Sequence, residues 1–324
     1  MKRGVIFFFG FVFSWLLLLP TSGMGQELEK FSENGKYGFR DQAGQTVIPP
    51  KYDFTGGFSD GLAGVRLNGK YGFIDKSGTE VIPLQYGLAG DFCEGLAWVY
   101  LNGKLGFIDK SGAVVVPPKY DGVGRFSEGL AWVTLNGKYG YVDKSGTEVV
   151  PPKYDGAWGF TEGLAVVKLN GKKGYVDKSG AEVVPPKYDD VYGFTEGLAG
   201  VLLNGKKGYV DKSGAVVVSL KYDEVYGFTE GLSWVKLSGK YGVIDKSGTV
   251  VIPLQYDEAW DFSEGLAGVL LNGKWGFIDK SGAVVVPLQY DRVWPFCEGL
   301  AMVKLNGKSG YVDKSGKWYD SRED

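Results

Sequence analysis

Histidine is absent from all 324 residues. That gap excludes Ser-His-Asp and Cys-His nucleophile arrangements, and every metal site that needs an imidazole ligand. Cysteine is scarce. Cys93 and Cys297 both sit in the phrase "FCEG", which elsewhere reads "FSEG" or "FTEG", six repeats apart. A disulfide needs Cα atoms within about 7 Å, so the two read as stand-ins for serine rather than as a bridge. An excess of either charge is also missing, with Lys+Arg at 36 against Asp+Glu at 38. The chain therefore lacks the basic footprint of a nucleic-acid binder. What it has in quantity is glycine, 52 residues, and aromatics at 15%. Together with abundant valine, these point to strands and tight turns.

The first 25 residues differ from the rest. Lys2 and Arg3 form a positive start, Val5 to Leu19 an apolar run, and Pro20 ends it. Gly23 and Gly25 are small residues at the −3 and −1 positions of a cut before Gln26. This is the pattern of a cleaved secretory signal. The alternative is an uncleaved membrane anchor, for which the run is short. No cysteine follows the run, so a lipoprotein anchor is not expected. The expected product is exported to the periplasm, the cell surface or the medium, with no membrane span after cleavage.

From residue 26 to 324 one phrase recurs. The Gly of an "NGK" or "SGK" turn falls at 35, 69, 103, 137, 171, 205, 239, 273 and 307, every interval being 34. Helical TPR motifs share that period. Here, though, each unit carries two glycine turns, a further mid-strand glycine and usually proline, which leaves no room for two helices. In one unit, "LAWVTL" (Leu130–Leu135) reads as a strand and Asn136-Gly137 as a type I′ turn. "KYGYVD" (Lys138–Asp143) reads as the next strand and "DKSG" as a hairpin with Gly146 left-handed. A third strand over 147–152 should end at its prolines or face an edge. The following "KYDGAWGF" leads to the next unit, with room for a short fourth strand.

The expected fold is thus all-β: nine tandem antiparallel β-meander repeats, the first and last incomplete, stacked as an open solenoid-like array. A β-propeller of about eight blades is the alternative. The first unit offers only "LEKFSE" before its turn and the last ends in "KSGKWYD". The middle strand is present at both ends, which favours the open form.

The words "GLAxVxLNGKxGxID" and "VIPxxYD" resemble the bacterial WG-repeat (KWG-repeat) family over residues 28 to 320. The slot that gives the family its Trp holds Trp275 here, and Tyr37, Tyr71, Tyr139 or Tyr241 elsewhere. Leu105, Lys173, Lys207 and Ser309 depart from it. The resemblance implies a β-rich tandem array and no shared activity.

Residues repeated in every unit read as structural first. The "DKSG" Asp, from Asp75 to Asp313, is placed to bond its own turn. Calcium ligation is the competing reading, but the "GGxGxD" pattern is absent. The Glu of "FxEG", from Glu94 to Glu298, with Asp60 in the first copy, reads as a turn or cap device. Glycosidase carboxylates are the competing reading. Asp91 and Asp261 are singular acids, five repeats apart.

Variable slots are more informative. The residue two before the Phe of "FSEG" is Gly56, Gly90 and Gly124, then Trp158, Tyr192, Tyr226, Trp260 and Trp294. Five successive rings at one slot form a stripe. Inter-repeat packing is one reading; a track for stacking sugars or peptides is the other. Glycine in the earlier units suggests that the scaffold does not require a ring there. A second slot, the x of "LAxV", holds Gly64, Trp98, Trp132, Val166, Gly200, Trp234, Gly268 and Met302, so it should lie near the surface or beside a void. Lys168, Lys236 and Lys304 follow two residues later and should share its face.

These features call for no cofactor and no metal. They fit a non-enzymatic binding scaffold whose partner is a protein or an extracellular glycan. A structural cell-envelope component and a carboxylate-based hydrolase acting on an extracellular glycan are the alternatives.

Overall fold

The computed structural model describes residues 27–320. The segment read as a signal lies outside the described residues. Within them the chain folds into nine antiparallel sheets in sequence order, the first three-stranded and the rest four-stranded. Strand pairing stays inside each sheet. Every hydrophobic cluster joins one sheet to the next. Among the described residues, no pairing or cluster links the first sheet to the last. The array is open.

The fourth sheet shows how the phrase folds. Its strands are Gly122–Val123, Leu130–Leu135, Lys138–Asp143 and Glu148–Tyr154, side by side in that order. The short fourth strand therefore belongs to the sheet that follows the "KYD", and leads it. Asn136 and Gly137 both have positive φ, at 51° and 74°, as a type I′ turn requires. In the "DKSG" turn the Asp143 Oδ1 accepts from the Ser145 amide, the Ser145 hydroxyl and the Thr147 amide.

The prolines do not end the exit strand. It lies at the sheet edge, where a missing N–H is tolerated. Pairing resumes beyond a bulge: Tyr141 faces Val150, but Tyr139 faces Tyr154. This bulge explains the glycine in the middle strand. A Cβ on Gly140 would stand 2.3 Å from the Val150 carbonyl oxygen and 2.7 Å from the Pro152 nitrogen.

Alternation gives each sheet two buried faces. Ala131, Val133 and Val142 pack back onto the third sheet, while Leu130, Tyr141, Val150 and Tyr154 pack forward onto the fifth. At the centre of that forward seam the Tyr141 ring meets Phe160 edge-on, with centroids 5.0 Å apart. Polar ties flank it. The Ser127 hydroxyl donates to the Phe160 carbonyl at 2.7 Å. Asp155 accepts from Lys138 of the fourth sheet at 2.5 Å and from the Asn170 amide of the fifth at 2.7 Å. Glu128 sits in the two-residue "EG" turn with φ of 52°. Its carboxylate accepts from the Gly163 amide at 2.9 Å and pairs with Lys178 at 2.9 Å. It is the turn residue the sequence suggested, and also a tie to the next sheet. Cys93 takes the serine role at its own seam, its Sγ 3.3 Å from the Phe126 carbonyl; both cysteines are free thiols. Gly87 replaces the tying Asp between the second and third sheets.

The end sheets are trimmed. Glu29–Glu33 supplies the first sheet with its outer strand despite lacking "GLA". At the far end Trp318 stacks on Tyr290 and packs over the last cluster.

Two predictions follow from these seams. Gly140→Ala should cost about 1–3 kcal/mol, the usual range for forcing a group into filled space. Gly159→Ala, whose Cβ would have only the Ser127 Cβ at 3.8 Å, should stay within about 0.5 kcal/mol; urea unfolding of both variants compares them. The second prediction concerns acid. Lys138 and the Asn170 amide hold Asp155 below the usual carboxylate range, and Lys178 with the Gly163 amide does the same for Glu128. Folded carboxylates then bind fewer protons than unfolded ones, so their contribution is complete above about pH 5 and is lost progressively below about pH 4, as pH falls through their lowered folded values. The melting temperature should drop over that window, and Asp155→Asn should flatten the drop.

Candidate ligand-binding face

Each stripe residue lies beside the "LAxV" strand, just after its sheet's lead strand or, for Tyr192, within it. The Trp158 amide donates to the Val166 carbonyl at 3.1 Å, Tyr226 to Trp234 at 3.2 Å, Trp260 to Gly268 at 2.9 Å and Trp294 to Met302 at 2.9 Å. The two variable slots are therefore backbone partners across one strand pair. Their side chains compete for one space.

That contact corrects the argument from glycine. A Cβ on Gly90 would meet the Trp98 indole nitrogen at 2.0 Å, and one on Gly124 would meet that of Trp132 at 2.2 Å. The ring missing from the stripe slot in the third and fourth sheets is supplied by its partner. Conversely, a Cβ on Gly200 would meet the Tyr192 ring at 3.0 Å, and one on Gly268 the Trp260 ring at 3.8 Å. From the third sheet to the ninth, every sheet carries a ring at this place, drawn from one slot or the other. Only the seventh carries two, Tyr226 and Trp234. The second has glycine in both, Gly56 and Gly64.

Trp158, Tyr192 and Tyr226 are 46%, 39% and 40% exposed; Trp260 and Trp294 are half-buried. The family's Trp slot, on the middle strand, stands next to them. Lys173 lies 5.5 Å over Trp158, and Lys207 5.5 Å over Tyr192. Tyr241 is 6.3 Å from Tyr226, and Trp275 5.2 Å from Trp260. Arg292 covers Trp294 at 5.2 Å. Lys236, from the slot expected to share this face, lies 4.7 Å over Tyr241. Burial first, then the bond to the Tyr241 hydroxyl, pushes the Tyr226 phenol up from its ordinary value, so Tyr226 stays protonated near neutrality. The surface is a row of rings interleaved with cations. Cations over ring faces attract them and help fix their orientation.

The singular acids are not brought together. Asp91 lies on the third sheet, 3.6 Å from Arg125, and Asp261 on the eighth. The recurrent carboxylates, represented by Asp143, Glu128 and Asp155, hold turns and seams.

The model of the WG containing repeat matches eight times, over residues 37–71, 71–104, 106–139, 139–172, 174–206, 208–241, 241–275 and 275–308. These are the intervals between the nine successive Trp-type slots. No curated protein matches the sequence. Among solved structures, a eukaryotic initiation factor aligns over 92% of this chain and 95% of its own, at 10% identity and a TM-score of 0.41. Hsv2 of Kluyveromyces lactis aligns over 75% and 89%, at 8% identity and 0.34. The extracellular domain of a proposed one-component system of B. thetaiotaomicron aligns over 91% and 52%, at 10% identity and 0.30. Scores of this size carry no argument about function.

Exchange of the ring between slots is testable. Gly124→Trp alone forces two indoles into one space and should cost about 1–3 kcal/mol. Adding Trp132→Gly recreates the arrangement of the eighth sheet and should recover most of that loss in thermal unfolding.

Proposed function

This chain belongs to the WG-repeat family, and on that premise we propose that it is an exported, non-enzymatic binding scaffold. Its ring ladder holds an extended extracellular glycan. The observation that carries this reading is the ring supplied to one face of seven consecutive sheets from two alternative slots. Three of these rings keep more than a third of their surface open to solvent. A ring needed only for packing gains most when it is covered. An exposed row at one ring per repeat suits a polymer of rings, because aromatic faces stack on the apolar faces of sugars with little ordering cost. The structural work of the recurrent carboxylates supports binding over hydrolysis. The apolar run at residues 5–19 supports export.

The test is a binding screen of the mature chain against extracellular polysaccharides, with envelope proteins as the competing class. Trp158→Ala, Tyr192→Ala and Tyr226→Ala should each weaken glycan binding by about 1–3 kcal/mol, on the scale of ring stacking in other extended polymers. Each should lose less stability than the roughly 3–5 kcal/mol of a truncated core aromatic. Binding unchanged in the folded triple variant, or severe unfolding with unchanged binding per folded molecule, assigns the ladder to packing. Capture of an envelope protein by the same rings would replace the glycan with a protein partner.

A further inference from the structure

The seventh sheet breaks the phrase at three neighbouring places. Ser233 stands where every other "LAxV" strand has Ala. Trp234 adds a second ring beside Tyr226. Val243, its cross-strand partner, replaces the Phe or Tyr found at that slot in all eight other sheets. At seven seams the middle-strand ring meets the Phe of the next "FxEG" with centroids 4.7 to 5.0 Å apart. Here Val243 offers no ring. Phe262 instead stacks on Trp234 at 5.7 Å and 20°.

The seam also lacks two polar ties. Among the described residues, neither a Thr229–Phe262 nor a Glu230–Gly265 hydrogen bond forms, an absence shared by Thr161 and Glu162 at the seam between the fifth and sixth sheets, which keeps its ring pair. Lys280 alone holds Glu230. The Glu230 side chain is 68% exposed, against 31–42% for the five other copies paired to a lysine. What opens is a cavity of about 150 Å³. Trp234, Phe262, Leu232 and Val243 give it apolar walls; Asp261 and Glu230 give it acceptors. A second cavity of about 330 Å³ shares Trp234 and Asp261 with it and is lined by Tyr226 and Trp260 of the ladder. Trp234 is 6% exposed, and its indole N–H is buried without a partner. Buried donors almost always have one.

We propose that the cavity between the seventh and eighth sheets binds a single pyranose ring, as the terminal or branching unit of the glycan held on the ladder. The identification of the polymer rests on the reading given under Proposed function; the cavity's own chemistry selects the ring. An apolar cavity of this volume holds one benzene-sized ring; a pyranose is larger, and its exocyclic groups would extend into the second cavity, which shares Trp234 and Asp261. Flat aromatic walls suit a six-membered ring's apolar face. The polar groups choose between substituents. The indole N–H needs an acceptor, and the two carboxylates need donors. A hydroxyl serves both. An ammonium by itself offers the indole no acceptor, and an anionic ring would face two carboxylates against one lysine.

The experiment titrates free hexoses and N-acetylhexosamines into the mature chain, read by ligand-observed NMR and tryptophan fluorescence. A saturable interaction is expected with at least one sugar. The double variant Trp234→Gly/Val243→Phe rebuilds the Gly–Phe pair of the eighth sheet, Gly268 and Phe277, so it should fold and melt at or above the parent temperature. It should bind the monosaccharide more than ten-fold more weakly. Asp261→Gly, which restores the residue found at that slot in four other sheets, should weaken it as well. The ladder variant Trp158→Ala/Tyr192→Ala, on the fifth and sixth sheets, should keep the monosaccharide and lose the polymer. No saturable sugar binding, binding undiminished in the double variant, or a preference for ammonium- or carboxylate-bearing ring probes overturns the cavity's assignment, even if the polymer still binds the ladder. Monosaccharide binding that depends on Trp234 and Val243 with no polymer binding upholds the cavity and overturns the ladder reading instead.

Discussion

A four-stranded sheet built from 34 residues has no inside of its own, so this molecule places its whole core at the seams between sheets. Alternation along Leu130–Leu135 sends Ala131 and Val133 to one neighbour and Leu130 to the other. Every hydrophobic cluster is thus shared between consecutive units, and stability is a sum of unit and nearest-neighbour terms. The fixed period follows from this. One inserted residue in a strand would turn its core face outward and spoil two seams at once.

Much of this architecture is legible in the letters. Asn-Gly and Lys-Ser-Gly turns are local chemistry, and the backbone angles they demand fall where those residues stand. The Asp of "DKSG" bonds its own turn, as its spacing suggests. Other features depend on atoms outside the local window. Glu128 adopts a left-handed conformation that its own side chain does not favour, and it does so beside ties to Gly163 and Lys178 on the next unit. Pro151 and Pro152 look like the end of a strand, but at an edge they form a bulge, and Gly140 is the residue that bulge requires. The short fourth strand joins the following sheet because its partner lies ahead of it in sequence.

The candidate face was half legible. Five rings at one slot are plain in the sequence, and so are the glycines and tryptophans of the other. What joins them is a reciprocal pattern at a spacing of eight residues. Gly90 answers Trp98, Gly124 answers Trp132, Tyr192 answers Gly200, and Trp260 answers Gly268. Read one slot at a time, the pattern is invisible; read as a backbone-bonded pair, it is one ring position with two sources. The same pairing makes the seventh sheet conspicuous, where Tyr226 and Trp234 occur together and Val243 makes room.

The substitution of Gly87 for the tying aspartate between the second and third sheets bears on how the array responds to load. Sheets joined only to their neighbours act as springs in series. Tension applied at the ends is the same at every seam, and extension begins at the softest. With one inter-sheet carboxylate missing, that junction is one built-in compliance near the amino-terminal end; the seam between the seventh and eighth sheets, where Val243 replaces the ring, is another. A stretched molecule would give first at these two places, leaving the third to seventh sheets in register while the strain is absorbed on either side of them.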